Sequence, residues 1–380
     1  MAILNFDDKS QFDENGMMID RFHTNYNIDK KKANVNMIIG KRSNGKSYGT
    51  LTLDCIKRFI DSGYEDQFAY IRRWDNEMSL IQNDLFNGMV QNGWLEWYSK
   101  GEWNDIQYWC HKWYLRRLNE DHEVEDKCRT PMAYGFCVNK AEKAKGPDYP
   151  HVKTIVFDEF IPMSGSYCPK ELNNWQNLIS TIDRSRNHCT IYMIANTISK
   201  DCPHFDYYHI DPDQLEQGKI YVKPCGTIGK LAIEYCKDVG SVETTESVYF
   251  SDDDEVGSMI LTGAWQTRNF AMLPEGINLD DVRTYTVYFL YKNKLLQCDF
   301  LHLGEVDTLY FSLCKSAQLE PDDILFTDEI YPDAISMPNV IVGLHTGNKV
   351  SEVILKRLKT SRCYYESDDL GEKIMNFIDK

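Results

Sequence analysis

The chain has 380 residues, 42% hydrophobic and 26% charged, enough for two ordinary cores. Its net charge is −16, and residues 213–380 carry 16 Lys and Arg against 28 Asp and Glu, which excludes a protein that coats nucleic acid through a uniformly basic surface. No apolar run approaches the ~18 residues of a membrane span, and the start, MAILNFDDKSQFDENGMMID, lacks a signal-peptide pattern, so an intracellular protein with no membrane partner is expected.

After a polar lead-in over 1–32, Val35–Ile39 reads as a short buried strand and Lys46–Ser62 as a helix with Leu51, Leu53, Ile56, Phe59 and Ile60 on its apolar positions. QFAYIRR (Gln67–Arg73) is a second strand, Asn76–Val90 is helical, and WNDIQYWCHKWYLRRL has the aromatic alternation of an inserted hairpin. MAYGFCV (Met132–Val138) is a strand followed by the loop NKAEKAKGPDYP. KTIVFDEF (Lys153–Phe160) is the strongest strand, KELNNWQNLISTIDRSRN a helix ending near Asn187, and CTIYMIANT (Cys189–Thr197) a further buried strand. Short apolar runs alternating with helices predict an α/β domain with a mainly parallel sheet over 1–212. Residues 213–255, with the acidic stretch ETTESVYFSDDDEVGS, read as a linker or lid. Beyond it RTYTVYFLY, LLQCDFLHL and TLYFSLC form a meander around the turn KNK, and helices near Lys349–Thr360 and Ser367–Asp379 complete an α+β domain over 256–380. The twelve cysteines include no CxxC pair and none near a histidine at zinc-ligand spacing, so reduced, mostly buried thiols are expected.

Chemistry enters where the first strand ends. Gly40, Lys41, Arg42, Ser43, Asn44, Gly45, Lys46 and Ser47 match GxxxxGKS, between a buried strand and a helix. Inward-pointing backbone N–H groups and the helix N-terminus make an anion nest there. Gly45 lets phosphate approach the backbone, Lys46 reaches the β and γ phosphates, and the Ser47 hydroxyl ligates Mg²⁺. In TIVFDEF an apolar strand delivers Asp158 and Glu159 to the sheet edge where ligands bind. Asp158 suits Mg²⁺, and Glu159 suits a water attacking the γ-phosphate in line, a task a hydrolase has and a kinase lacks. NKAE at Asn139–Glu142 mimics a guanine-reading NKxD, but it precedes the acidic strand and ends in Glu, so GTP is rejected in favour of ATP.

Other polar residues have two readings each. Arg184 and Arg186 end the helix after the acidic strand, where an arginine can reach a neighbouring subunit's nucleotide or merely be solvated; Arg186 is the first choice. Asn196, ending a buried strand, is a sensor of water or γ-phosphate or a plain cap. Lys140, Lys143 and Lys145 touch DNA phosphates, a neighbour's γ-phosphate or solvent, and Arg72 and Arg73 share that ambiguity.

With GKRSNGKS, YIRR, TIVFDEF and DRSRN in this order before an appended meander, the chain resembles the DNA-packaging (encapsidation) ATPases of small short-tailed bacteriophages. These are additional-strand, catalytic-glutamate P-loop ATPases related to the large terminases. The resemblance implies a homomeric ring, typically a pentamer, acting in the host cytoplasm while docked at the portal of an empty prohead. There ATP hydrolysis would drive double-stranded DNA inward, with the arginine finger acting in trans across a heterologous interface. The need for an RNA adaptor is left open. It also implies a C-terminal domain like an RNase H-type nuclease that has lost its chemistry. The residues agree, since the first central strand, TYTVYFLY, has no acid to partner Asp299, Glu305 or Asp307 in two-metal cleavage. The stripe Lys356, Arg357 and Lys359 is that domain's best local DNA contact, or a solvated helix face. A cellular DNA translocase of the same superfamily and a nucleotide-gated scaffold with little turnover are the competing functions.

Overall fold

The computed structural model describes residues 23–42, 44–163, 166–237, 270–292, 294–314, 319–328, 330 and 339–378. They form two compact units, one within 23–237 and the other within 270–378. Among the described residues no helix is long and apolar enough to cross a membrane. The stretch ETTESVYFSDDDEVGS, the 1–22 lead-in and Ser43 lie outside the described residues.

The first unit is built on a ten-stranded sheet. Its strands are β1 (Val35–Gly40), β2 (Gln67–Arg72), β3 (Asp105–Trp109), β4 (Lys112–Leu118), β5 (Val124–Lys127), β6 (Ala133–Cys137), β7 (Val152–Asp158), β8 (Thr190–Asn196), β9 (Lys219–Cys225) and β10 (Gly229–Tyr235). The order is β3-β4-β6-β2-β7-β8-β1-β10-β9, with β5 on β4. From β6 to β10 the neighbours run parallel; the β3–β4 hairpin and β9 add antiparallel edges. Parallel strands are covered on both faces, and every residue of VNMIIG and QFAYIR is buried. One face packs Phe157, Phe160, Trp175, Leu178 and Ile182; the other packs Phe59, Phe68, Trp94 and Trp113. Each such side chain contributes roughly 1.5–3 kcal/mol by leaving water.

Three expectations change here. The 213–255 linker is in part core sheet: β10 pairs with β1 residue by residue, from Val35↔Leu231 to Ile39↔Tyr235, and β9 covers its edge. KLAIEY is short and flanked by polar residues, yet Leu231, Ala232, Ile233, Glu234 and Tyr235 are all buried. The Asn76–Val90 helix is two, Asp75–Ile81 and Asn87–Gln91, because the Gln82 carbonyl turns to accept from Trp113 Nε1 at 2.8 Å, a contact from the distant hairpin. The loop after β6 begins as a short 3₁₀ helix, Val138–Ala144. The helix after the phosphate loop forms as expected, widening to π-type turns over Thr50–Ile56.

The second unit is a six-stranded mixed sheet ordered β15-β14-β11-β12-β13-β16. Here β11 is Arg283–Tyr291, β12 Lys294–Leu303, β13 Val306–Leu313, β14 Leu325–Thr327, β15 Val340–Val342 and β16 Cys363–Tyr365. The predicted meander is β11–β12–β13; β14 and β15 extend it in parallel beside β11, and β16 pairs parallel with β13. Helices Lys349–Lys359 and Asp368–Ile378 bury Ile354, Ile374 and Phe377 against Phe289 and Phe311.

Candidate nucleotide site

The parallel strands end together on one edge, and β1, β7 and β8 deliver the site there. After β1 the chain turns through Gly45, whose φ of +89° only glycine adopts freely, into the helix that starts at Lys46. Gly40 is needed for a different reason: a Cβ there would sit 2.8 Å from Cys236 Cβ, just past the end of β10. Lys46 is 4% exposed and lies inside the loop, donating from Nζ to Gly40 O at 3.0 Å, Lys41 O at 2.6 Å and Asn44 Oδ1 at 3.0 Å. Burial brings its ammonium down to about 8, against the partial support of Cys236 and Asp158. Asn196, ending β8, accepts from the same Nζ at 3.3 Å.

The acidic strand meets the loop directly. Ser47 Oγ donates to Asp158 Oδ1 at 2.9 Å, and the buried Tyr70 hydroxyl donates to Asp158 Oδ2 at 2.9 Å. Asn44, Gly45, Lys46, Ser47, Asp158, Glu159 and Asn196 share one cavity of ≈ 300 Å³, with Arg42 at its rim. A hydroxyl beside a carboxylate is a hard-oxygen donor pair suited to Mg²⁺, and a buried ammonium in a loop at a helix N-terminus suits phosphate. The donor set therefore fits a magnesium-bound triphosphate.

Glu159 holds a left-handed backbone, φ +58°, at a cost on the order of 1–2 kcal/mol. Its carboxylate accepts from Arg72 Nη2 at 2.7 Å. Arg72 also lies 3.6 Å from Asp158 and 3.6 Å from Glu77, so one guanidinium serves three carboxylates. Arg73, 1% exposed, points to the other face. It donates to both Glu171 oxygens at 2.8 and 2.9 Å and to the carbonyls of Glu159 and Phe160 at 3.0 and 2.7 Å. His204 Nε2 is 3.0 Å from the same Glu171 carboxylate. Burial keeps His204 neutral, so Nε2–H donates. Burial alone would raise Glu171; hydrogen bonds from His204 and Arg73 hold it down at about 2. Neither reading of Arg72 and Arg73, contact with DNA or a neighbour or solvation, describes them here: both are buried and paired with carboxylates of their own unit. The Arg-Arg pair ending a strand next to the acidic one was the available signal; Glu171 and His204 had none.

Arg184 and Arg186 do not approach this cavity. The helix Glu171–Asp183 runs back along the sheet, and its end sits beside the start of β8, one strand length or ~20 Å away. Arg184 donates to the carbonyls of Gly146 (3.2 Å) and Pro147 (2.8 Å), and Arg186 pairs with Asp148. Lys140 and Lys143 are exposed along a separate groove with Lys112, Tyr134 and Asp148, while Lys145 pairs with Glu142 at 3.0 Å. In the second unit Lys356 and Lys359 are exposed, but Arg357 lies 3.2 Å from Asp307 and over the Phe300 ring. Asp299 is fully buried among Thr286, Gln297 and Arg283.

Known proteins resemble this chain in sequence and fold. The family model of the Podovirus DNA encapsidation protein (Gp16) matches residues 17–228, which contain the whole site. The DNA packaging proteins of Bacillus phages phi29 and PZA are each 31% identical over 197 residues, 49% of this chain and 50% of theirs. The chain spans about half the length of the curated relatives it matches. The bacteriophage Phi-29 viral genome packaging motor assembly shares the fold at a TM-score of 0.57 and 17% identity, over 94% of this chain and 98% of that one. The Phi-28 gp11 DNA packaging motor does so at 0.54 and 16%, over the same shares. The chain belongs to the Podovirus DNA encapsidation protein (Gp16) family.

Proposed function

We propose that the chain is an ATP-hydrolysing motor subunit that drives double-stranded viral DNA into a prohead. The observation that carries the reading is the convergence of Lys46, Ser47, Asp158, Glu159 and Asn196 on one cavity at the carboxyl edge of a parallel sheet. The loop and Lys46 bind and orient the phosphates. Ser47 and Asp158 would hold Mg²⁺, which would supply neutralisation of charge on the β and γ phosphates. Glu159 positions and deprotonates the attacking water, and Asn196 couples Lys46 to the end of β8. Arg72 aligns Glu159 for that step through the 2.7 Å ion pair.

The distance of Arg184 and Arg186 from their own cavity supports a role in trans, in a homomeric ring, with pentamer as the working stoichiometry. The work would take place in the host cytoplasm at the portal vertex. Exposed Lys140 and Lys143 beside an aromatic-lined groove fit transient contacts with DNA phosphates. For the second unit, the order β15-β14-β11-β12-β13, with three parallel strands on one side of a meander, supports an RNase H-like ancestry. The tethering of Asp299 by Arg283 supports loss of cleavage chemistry. Steady-state phosphate release with and without duplex DNA tests the reading. Stimulation by DNA that falls steeply with salt is expected; turnover indifferent to DNA would contradict it.

A further inference from the structure

His23, Glu234 and Cys236 come together behind the phosphate loop. His23 precedes the short helix Tyr26–Asp29, while Glu234 lies on β10 and Cys236 just after it, 213 residues along the chain from His23. Cys236 Sγ is 3.9 Å and Glu234 Oε2 4.0 Å from His23 Nε2, and all three ligand atoms lie within 4.8 Å of one another. The residues are 4%, 9% and 1% exposed. Donors around a tetrahedral ion with bonds of ~2.0–2.3 Å stand roughly 3.3–3.6 Å apart, so the two contacts to His23 close by about half an ångström and the third pair by at most about 1.5 Å.

A second observation is independent of that spacing. Glu234 Oε2 is buried with no hydrogen-bond partner among the described residues. A carboxylate oxygen left so is costly unless something cationic meets it. Asn25 Oδ1, 3.3 Å away, accepts from His23 Nε2–H, a proton that moves to Nδ1 when Nε2 binds the ion.

We propose that His23, Glu234 and Cys236 form a structural site for a transition-metal dication of the zinc class, separate from the magnesium position at Ser47 and Asp158. Thiolate with imidazole selects such an ion over Mg²⁺ or Ca²⁺. On binding, the Cys236 thiol gives its proton to solvent. Thiolate and carboxylate then cancel the ion's charge, so Lys46 nearby meets no net repulsion. The consequence is mechanical. His23 N donates to Asn44 O at 2.8 Å and Cys236 N to Ile39 O at 2.7 Å, so the ion ties both flanks of the phosphate loop together without touching the nucleotide.

The full chain, stripped of metal under reducing conditions, is titrated with Co²⁺. One equivalent should give a thiolate-to-cobalt charge-transfer band and tetrahedral visible bands. Zn²⁺ should bleach both and a large excess of Mg²⁺ should not. Cys236→Ser should lose the charge-transfer band, and Glu234→Gln should keep it with at least tenfold weaker binding. Absence of the band in the wild-type chain overturns the proposal whatever the variants do. So does its persistence in Cys236→Ser, which would place the thiolate among the other cysteines.

Discussion

Arg72 Nη2 stands 2.7 Å from Glu159 Oε2, and the same guanidinium lies 3.6 Å from Asp158. One side chain on β2 therefore bridges the residue assigned to the metal and the residue assigned to water. Arg72→Ala leaves three carboxylates facing one another and frees Glu159 to wander. Phosphate release per site should fall about 10- to 100-fold, as expected for loss of alignment at a reacting group, with a smaller change in KM. Arg72→Lys should recover only part, because an ammonium cannot span three acceptors. Unchanged turnover in Arg72→Ala would detach the arginine from the chemistry.

Lys46 offers a test by proton counting. In the ligand-free chain its proton is lost around pH 8, where an unfolded chain keeps it to about 10.5. Phosphate restores the charged form, so nucleotide binding near pH 8 should take up roughly half a proton, and markedly less at pH 7. Calorimetry in buffers of different ionisation enthalpy measures this, and Lys46→Arg should abolish it. The same linkage makes the ligand-free chain gain stability as pH rises from about 8 to 10.5, since over that window the unfolded state holds the extra proton.

The Arg73–Glu171–His204 cluster is buried support, and its loss should appear in stability before it appears in chemistry. Glu171→Ala strands a buried guanidinium and should cost roughly 3–5 kcal/mol in denaturant unfolding. Glu171 sits at about 2 in the folded chain against an ordinary 4.5, so its contribution is present above pH 4.5 and is lost as pH falls towards 2. A melting temperature unmoved by Glu171→Ala would contradict the assignment.

Asp148 holds Arg186 and lies 3.7 Å from Arg184, on the surface. Asp148→Ala should leave the melting temperature unchanged within error. If the arginines work on a neighbouring subunit, Arg186→Ala should suppress turnover, and mixing it with Glu159→Gln subunits should restore part of it. No recovery in the mixture would count against action across an interface.

The second unit should not cut DNA. Asp299 is tied to Arg283 at 3.1 Å and Thr286 at 2.6 Å, and no acid of β11 stands opposite. Plasmid should remain intact with Mn²⁺, and Asp299→Asn should loosen that unit without altering phosphate release. Mn²⁺-dependent nicking that disappears in Asp299→Asn would reverse this reading.

The site was legible where chemistry is local. GKRSNGKS and VFDEF each fix their own backbone geometry, and the convergence of Ser47 and Asp158 follows from parallel strands ending on one edge. Asn196 met Lys46 for the same reason. What was not legible depends on contacts across long separations. The run KLAIEY carries no strong strand signal by itself and becomes core only because β1 has an open edge to receive it. The helix break at Gln82 is set by Trp113, and the role of Arg73 by Glu171 and His204. The contact of Cys236 with His23 had no local signal either, because the two lie 213 residues apart.

The central claim is that Lys46 and Glu159 act on one magnesium-bound triphosphate, in different steps. Nucleotide binding and phosphate release measured side by side on Lys46→Ala and Glu159→Gln test it most directly. Lys46→Ala should lose binding and turnover together, whereas Glu159→Gln should bind MgATP near the wild-type affinity with turnover down by 10²-fold or more. A Glu159→Gln chain that still hydrolyses ATP at the wild-type rate, or a Lys46→Ala chain that binds it unchanged, would contradict the account.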